Sequence, residues 1–394
     1  MNIASTGVSA NTNTPTVEER FDSLLVSPEL LAVQMGKRRP GEVAFEESEQ
    51  NFSRRRLLGV EKAAIAEKRR QAESEASFIG RISEQLHSMI LQDIESCIGD
   101  VPELYSKTLG LTDDIPALLD VLSTRAASVS RMEALVASAP WLFDELLHIV
   151  NTPKFRRRDS RGKVIPVETL RTALSFLGIE NLRMLLPAFV LKRAMPQITD
   201  PFPQIKVKTQ QFAYGVAVTA RTLAPLANCH PASAFTLGIL SPLGRCAVTR
   251  LYFKTFETLH RQMLEEAEKQ RQPDVHEALT KIRPQANYLI ALQEEFADKL
   301  TATLFDFMVF QRLPVTTAMA QLSTPAAELT DPLARVTQQA RVYTRVRMLH
   351  HTRCIDKEEV KLQLRAQRFP RGALDKLKTV DIFTLPLTFD ADQH

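Results

Sequence analysis

With 394 residues, 44% of them hydrophobic and 24% charged, the sequence is a globular chain with room for one large core or two modest ones. Thirteen glycines, five tyrosines and one tryptophan beside abundant Leu, Ala, Glu, Arg and Gln favour helix over strand, so the expected class is all-α. The formal net charge of +4 is too small to mark a nucleic-acid binder by itself, and four widely spaced cysteines without a CxxC pair argue against a zinc site or a redox couple.

Residues 1–20 are rich in Ser, Thr, Asn and Val without usable periodicity, and the segment 1–50 is expected to be mostly disordered. It lacks a basic start followed by an apolar run, and no window of the chain reads as a membrane helix, so a cytoplasmic protein is expected. Residues 51–113 read as a charged helical extension. Within it Phe78, Ile79, Ile82, Leu86, Met89, Ile90 and Ile94 recur at helical spacing and form a stripe that can bury against a partner helix. The turn-prone LGLTDDIP at 109–116 closes it. Three runs concentrate the positive charge: 53–70 with a surplus of five, the loop 154–163 with a surplus of five, and 335–378 with a surplus of eight.

A helix over 140–151 is predicted to start at Pro140 and to stop at Thr152-Pro153. After the basic loop a second helix opens at Pro166 and ends at Gly178, where a C-terminal cap needs positive φ, and a third begins at once. Pro187 predicts a bend or break in that third helix. Residues 265–276, EEAEKQRQPDVH, read as a polar surface loop. FTLGILSPLGRCAV, 235–248, is an apolar helix interrupted by Ser241-Pro242, a pair expected to kink the segment or to start a new helix with Ser241 as N-cap. Beyond it, Val342, Val346, Leu349, Val360 and Leu364 supply apolar stripes that either pack back on the domain or serve a partner. His350, His351 and Cys354 lie between basic flanks that repel a cation, and His148 reads as a structural histidine. No GxSxG and no phosphate-cradling glycine loop occurs.

The order of these fragments resembles the HDOD domain, a regulatory relative of the HD phosphohydrolases in bacteria. LLHIVNTP with Asn151 and Pro153, ALSFLG with Leu174 and Gly178, and NLRMLL with Leu182 and Arg183 follow the family's order. So do FAYGVAVTARTLA at 212–224 and FDFMVFQRLP at 305–314, which ends on Pro314 and has Gln311 where the family has Trp. The resemblance spans roughly 114–325. It implies a compact multi-helix bundle over 114–328, preceded by the helical extension and followed by a basic helical tail at 329–394.

In catalytic HD relatives the segment around Ser241 resembles FxxGLLHDIGK, whose His and Asp ligate a metal that activates water. Here Gly238 and Gly244 keep the frame, while Ser241-Pro242 replace the ligand pair. Phe212 stands at the place of the first ligand His, and LSTP at 322–325 near that of a His-His pair. A hydroxyl binds a divalent ion far more weakly than imidazole or carboxylate, and proline offers no side-chain donor atom. The resemblance therefore implies a non-catalytic signalling module without a metal or other cofactor, acting on another regulatory protein. A nucleotide second messenger is a further candidate ligand. Alternatives are a nucleic-acid-associated factor that uses the basic runs and a phosphohydrolase with unorthodox ligands. The loop residues Arg156, Arg157, Arg158, Arg161 and Lys163 are the expected partner contact.

Overall fold

Thr16 sets the first helix with a capping box. Its hydroxyl accepts the Glu19 N–H at 3.2 Å while the Glu19 carboxylate accepts the Thr16 N–H at 2.7 Å. α1 (Val17–Val26) follows, and Ser27 caps α2 (Pro28–Gln34) by accepting the Leu30 N–H. The computed structural model describes residues 15–36, 59–124, 127–153, 155, 157–158, 163–324 and 329–388. The expectation of an unstructured segment therefore does not hold for 17–34. Phe21, Leu24 and Leu25 of α1 and Leu31 of α2 are buried, each worth about 1.5–3 kcal/mol by apolar burial, which offsets a large part of the entropy lost in ordering the two helices.

α3 (Gly59–Gly99) is one long helix. Leu86, Ile90 and Ile94, spaced by four, are fully buried, as the predicted stripe requires, while Met89 at its edge is exposed. α4 (Val101–Glu103) runs into a π-helical turn at 104–108, and α5 (Asp114–Ser123), α6 (Val129–Ala137) and α7 (Pro140–Asn151) follow, the last opened by Pro140 in its first turn. The basic loop after Thr152 contains a small hairpin, β1 (Arg157–Arg158) antiparallel to β2 (Val164–Ile165). It is the one strand pair among the described residues.

α8 (Leu170–Ala194) begins four residues later than Pro166. The Asn151 amide explains the delay, because its Oδ1 accepts the Val167 N–H and its Nδ2 donates to the Val167 carbonyl, both at 2.9 Å. That holds residue 167 outside the helix until Thr169 can cap it. Gly178 takes φ 71°, ψ 160°, the positive φ expected there, and is the non-helical point within α8. Pro187 sits inside the helix without non-helical dihedrals, so the helix is not broken there. α8 is also long and apolar enough to cross a membrane, contrary to the sequence reading, but most of that stretch is buried within the protein.

α9 (Ile205–Leu223), α10 (Pro231–Leu240), α11 (Leu243–Lys269), α12 (Pro273–Lys281) and α13 (Ala286–Phe307) form the centre. The polar stretch 265–276 belongs mostly to α11 and α12, and the connection is only Gln270–Gln272. α10 is buried from Ser233 to Leu240 and packs on α8 and α9. Gly238 permits that approach, since a Cβ there would lie 2.8 Å from the Ala217 Cα. α14 (Thr316–Leu322) leads to α15 (Pro332–His351), α16 (Lys357–Ala366) and α17 (Ala373–Lys378). Val342, Val346 and Leu349 are buried, so the stripe of α15 packs back on the domain, against α9 and α10.

Candidate functional site

The Ser241-Pro242 pair separates two helices. Leu240 ends α10, Ser241 is its C-cap, and Pro242 occupies the N-cap position of α11. Ser241 is thus not the N-cap expected for it. Its hydroxyl turns back and donates to the Gly238 carbonyl at 3.0 Å. Thr301 on α13 pins the turn: its hydroxyl accepts the Gly244 N–H at 2.9 Å and lies 3.2 Å from the Ser241 carbonyl and 2.8 Å from that of Ala297. Gly244 has no room for a side chain, because a Cβ would come 2.0 Å from the Ala297 carbonyl oxygen.

Ser241, Pro242 and Phe212 meet on the wall of one cavity of about 220 Å³. Leu322–Thr324, the first three positions of the LSTP stretch, do not line it, and Pro325 lies outside the described residues. Three arginines line the same cavity. Arg245 of α11 pairs with Asp22 of α1 at 2.7 Å and donates to Gln293 at 2.6 Å. Gln293 in turn donates to Thr249 at 2.8 Å. Arg341 of α15 forks onto both oxygens of Asp298 at 2.9 and 3.0 Å. Arg345, one turn further, pairs with Glu18 and lies 5.4 Å over the Phe21 ring. Burial lowers the Arg345 pKa, against the opposing pull of Glu18 and Asp22, and burial followed by Asp22 raises that of Glu294 on the same wall.

α1 contributes Phe21 and Asp22 to the cavity wall. Phe21, 2% exposed, meets Phe212 edge-on with ring centroids 5.0 Å apart. Arg20 forks onto Glu359 and donates to the Cys354 carbonyl at 2.8 Å, fastening the other side of α1 to α16 and the turn before it. Neither Phe21 and Asp22 nor Arg341 and Arg345 were singled out as site residues by sequence. The Thr16–Glu19 capping box and the apolar spacing of Phe21, Leu24 and Leu25 were legible signals for α1, but nothing local indicates where it docks.

The donor set does not suit a divalent metal. Serine, proline and phenylalanine supply the wall, two of the carboxylates are bound to guanidinium groups, and three cations face the space. Among the described residues no group of three His, Cys, Asp or Glu side chains could hold a metal ion. His350 and His351 are exposed at the end of α15, whereas Cys354 is buried. His148 is exposed in the last turn of α7, so it is not the partly buried structural histidine expected there. Cys246 is fully buried, its thiol pushed up to about 12 by desolvation, while Cys97 and Cys229 are only half-buried.

The other predicted positions have structural surroundings. Leu174 and Leu182 are fully buried, and Pro153 is exposed. Arg183 donates to the Leu122 carbonyl at 2.9 Å and the Thr124 carbonyl at 2.7 Å, closing the end of α5. Pro314 follows a turn held by buried Asp120, which accepts the N–H groups of Gln311, Arg312 and Leu313 at 2.7, 3.0 and 2.8 Å. In the basic loop, Arg156 and Arg161 lie outside the described residues, Arg157 and Arg158 are strand residues, and Lys163 is exposed. The basic run 335–378 is partly internal, since Arg341 and Arg345 face the cavity.

Residues 111–300 match the family model of the HDOD domain. The fold is also similar to a crystal structure named for a metal-dependent phosphohydrolase from Shewanella amazonensis SB2B, at 12% identity and a TM-score of 0.43, over 77% of this chain and 95% of that one. A second similar structure, named for a signal transduction protein from Marinobacter aquaeolei VT8, has 15% identity and a TM-score of 0.40, over 76% of this chain and 66% of that one. No curated protein matches the sequence.

Proposed function

We propose that this chain, whose residues 111–300 match the HDOD family model, is a regulatory module that has given up metal-dependent hydrolysis and acts by binding another protein. The observation that carries the reading is the trio Arg245, Arg341 and Arg345 around the Ser241-Pro242 turn. An HD-type hydrolase needs imidazole and carboxylate ligands there, and a divalent ion would stand against three guanidinium charges with Asp22 and Asp298 already committed to two of them. The helical frame around the turn is kept by close contacts at Gly238 and Gly244 that have no catalytic content. A retained scaffold without a reaction centre is suited to presenting surfaces to a partner.

Metal analysis of the purified full chain together with a phosphoester panel tests the first half. The expected result is metal well below one equivalent and no turnover; stoichiometric iron or manganese with turnover would overturn the reading. Crosslinking and pulldown from the source cell test the second half. Reversing the charge of Arg156, Arg157, Arg158, Arg161 and Lys163 is expected to leave folding intact and weaken capture of the partner. Unchanged capture would remove the hairpin loop as the contact.

A further inference from the structure

We infer that the cavity at the Ser241-Pro242 turn binds a small molecule carrying a phosphate or carboxylate group, held by Arg341 and Arg345, and that α1 is its built-in competitor. The inference rests on the metal-free reading of the site. Arg341 is 8% exposed and commits both Nη atoms to Asp298, yet its buried Nε–H has no hydrogen-bond partner among the described residues. Arg345, four residues on and on the same helix face, likewise keeps a buried Nε–H without a partner. Both arginines line one cavity of about 220 Å³, and their two N–H donors, enclosed and unpartnered while α1 is seated, would be satisfied by an oxyanion that enters as α1 leaves. Guanidinium is the group whose fork matches carboxylate and phosphate oxygens.

What already sits there shows how such a ligand would enter. Arg345 is neutralised by Glu18 and Arg245 by Asp22, both on α1 and one helical turn apart, with Phe21 between them on the Phe212 ring. α1 therefore sets the Asp22 carboxylate and the Phe21 ring on the pocket wall and holds Arg345 with a second carboxylate, Glu18, in the manner of a tethered ligand. Glu294 and Asp298 also face the cavity. A further anion is accommodated when it replaces the Glu18 and Asp22 carboxylates, so that binding and release of α1 are the same event seen from two sides. The cation pair and its cover lie on α15 and α1, outside the span 111–300 that matches the family model, while the turn itself lies within it.

The test is titration calorimetry on the full chain at constant ionic strength with inorganic phosphate and, separately, succinate. The two arms distinguish a phosphate from a carboxylate source. Glu18→Gln with Asp22→Asn removes the internal competitor and should tighten binding by about tenfold or more. Arg341→Gln with Arg345→Gln should abolish it, with melting curves showing that this variant is folded. In the wild-type chain phosphate or succinate should also raise amide exchange in α1, a readout that needs no arginine variant. Absence of binding in both the wild type and the acidic-pair variant would overturn the inference. So would equal affinity after the acidic substitutions, or unchanged affinity in a folded arginine variant, which would place the anion on the basic surface. Repeating the titration in EDTA separates the two readings: binding lost on chelation refutes the metal-free function, and binding kept leaves the anion site standing on its arginines.

Discussion

Asp22→Asn tests whether α1 is held as a latch. The pair it forms with Arg245 is 2.7 Å long, and the two side chains are only 14% and 16% exposed. Unit charges about 4 Å apart attract by about 4 kcal/mol at an effective dielectric near 20. Desolvation on folding cancels a large part of that, which leaves about 2 kcal/mol of coupling between the two side chains. Because Arg245 also donates to Gln293, the single Arg245→Met change carries a second loss, and a double-mutant cycle is needed to isolate the pair. Hydrogen exchange of the α1 amides is the assay, since it reads the opening of this element separately from global unfolding. A coupling of about 2 kcal/mol corresponds to roughly thirtyfold faster exchange in α1. Protection in α10, which is buried at the centre, should stay nearly unchanged. The reasoning fails if the two substitutions add within about 0.5 kcal/mol. It fails equally if α1 and α10 lose protection together, because α1 would then open only with the whole fold.

Asp120→Ala removes the one carboxylate that accepts three backbone N–H groups at 311–313 and should cost about 3–5 kcal/mol, seen as a lower urea midpoint; a loss under about 1 kcal/mol would show that the turn finds other acceptors. Gly244→Ala places a Cβ against the Ala297 carbonyl, a backbone atom that no rotamer change can move, so a destabilisation of about 3 kcal/mol or more is expected in the same assay, and a neutral result would contradict the close packing of α11 on α13. His87 is buried, stacked 3.7 Å from Tyr288 and 3.2 Å from the Tyr252 hydroxyl, and burial lowers its pKa below 6.5. The unfolded chain then takes up the proton first, so the stability His87 contributes is present above pH 6.5 and is lost as the pH falls through 6.5 toward the folded value. The melting advantage of the wild type over His87→Gln should accordingly shrink between pH 7.5 and 5.5, and an advantage independent of pH would refute the assignment.

Local chemistry was enough for much of the helical framework. Pro140 and Thr152 bound α7 as their backbone preferences require, Gly178 takes the positive φ foreseen for it, and Ser241-Pro242 ends one helix and starts another. These outcomes depend on residues a few positions apart, and the composition that makes helices is present throughout. Where the reading went astray, a distant group decided. Asn151 delays α8 past Pro166, and burial of Phe21, Leu24 and Leu25 orders α1 within a segment whose average composition is polar.

The cavity shows the division most clearly. That Ser241, Pro242 and Phe212 offer a metal neither imidazole nor carboxylate is a property of the residues and was readable at once. That Arg341 and Arg345 stand beside them, drawn from a run that reads as a basic surface, and that Asp22 closes on Arg245 more than two hundred positions away, is not. An ion pair leaves no periodicity in the chain, and either arginine could equally have faced solvent; only the packing of α1 and α15 on one turn takes these charges out of water and gives them partners.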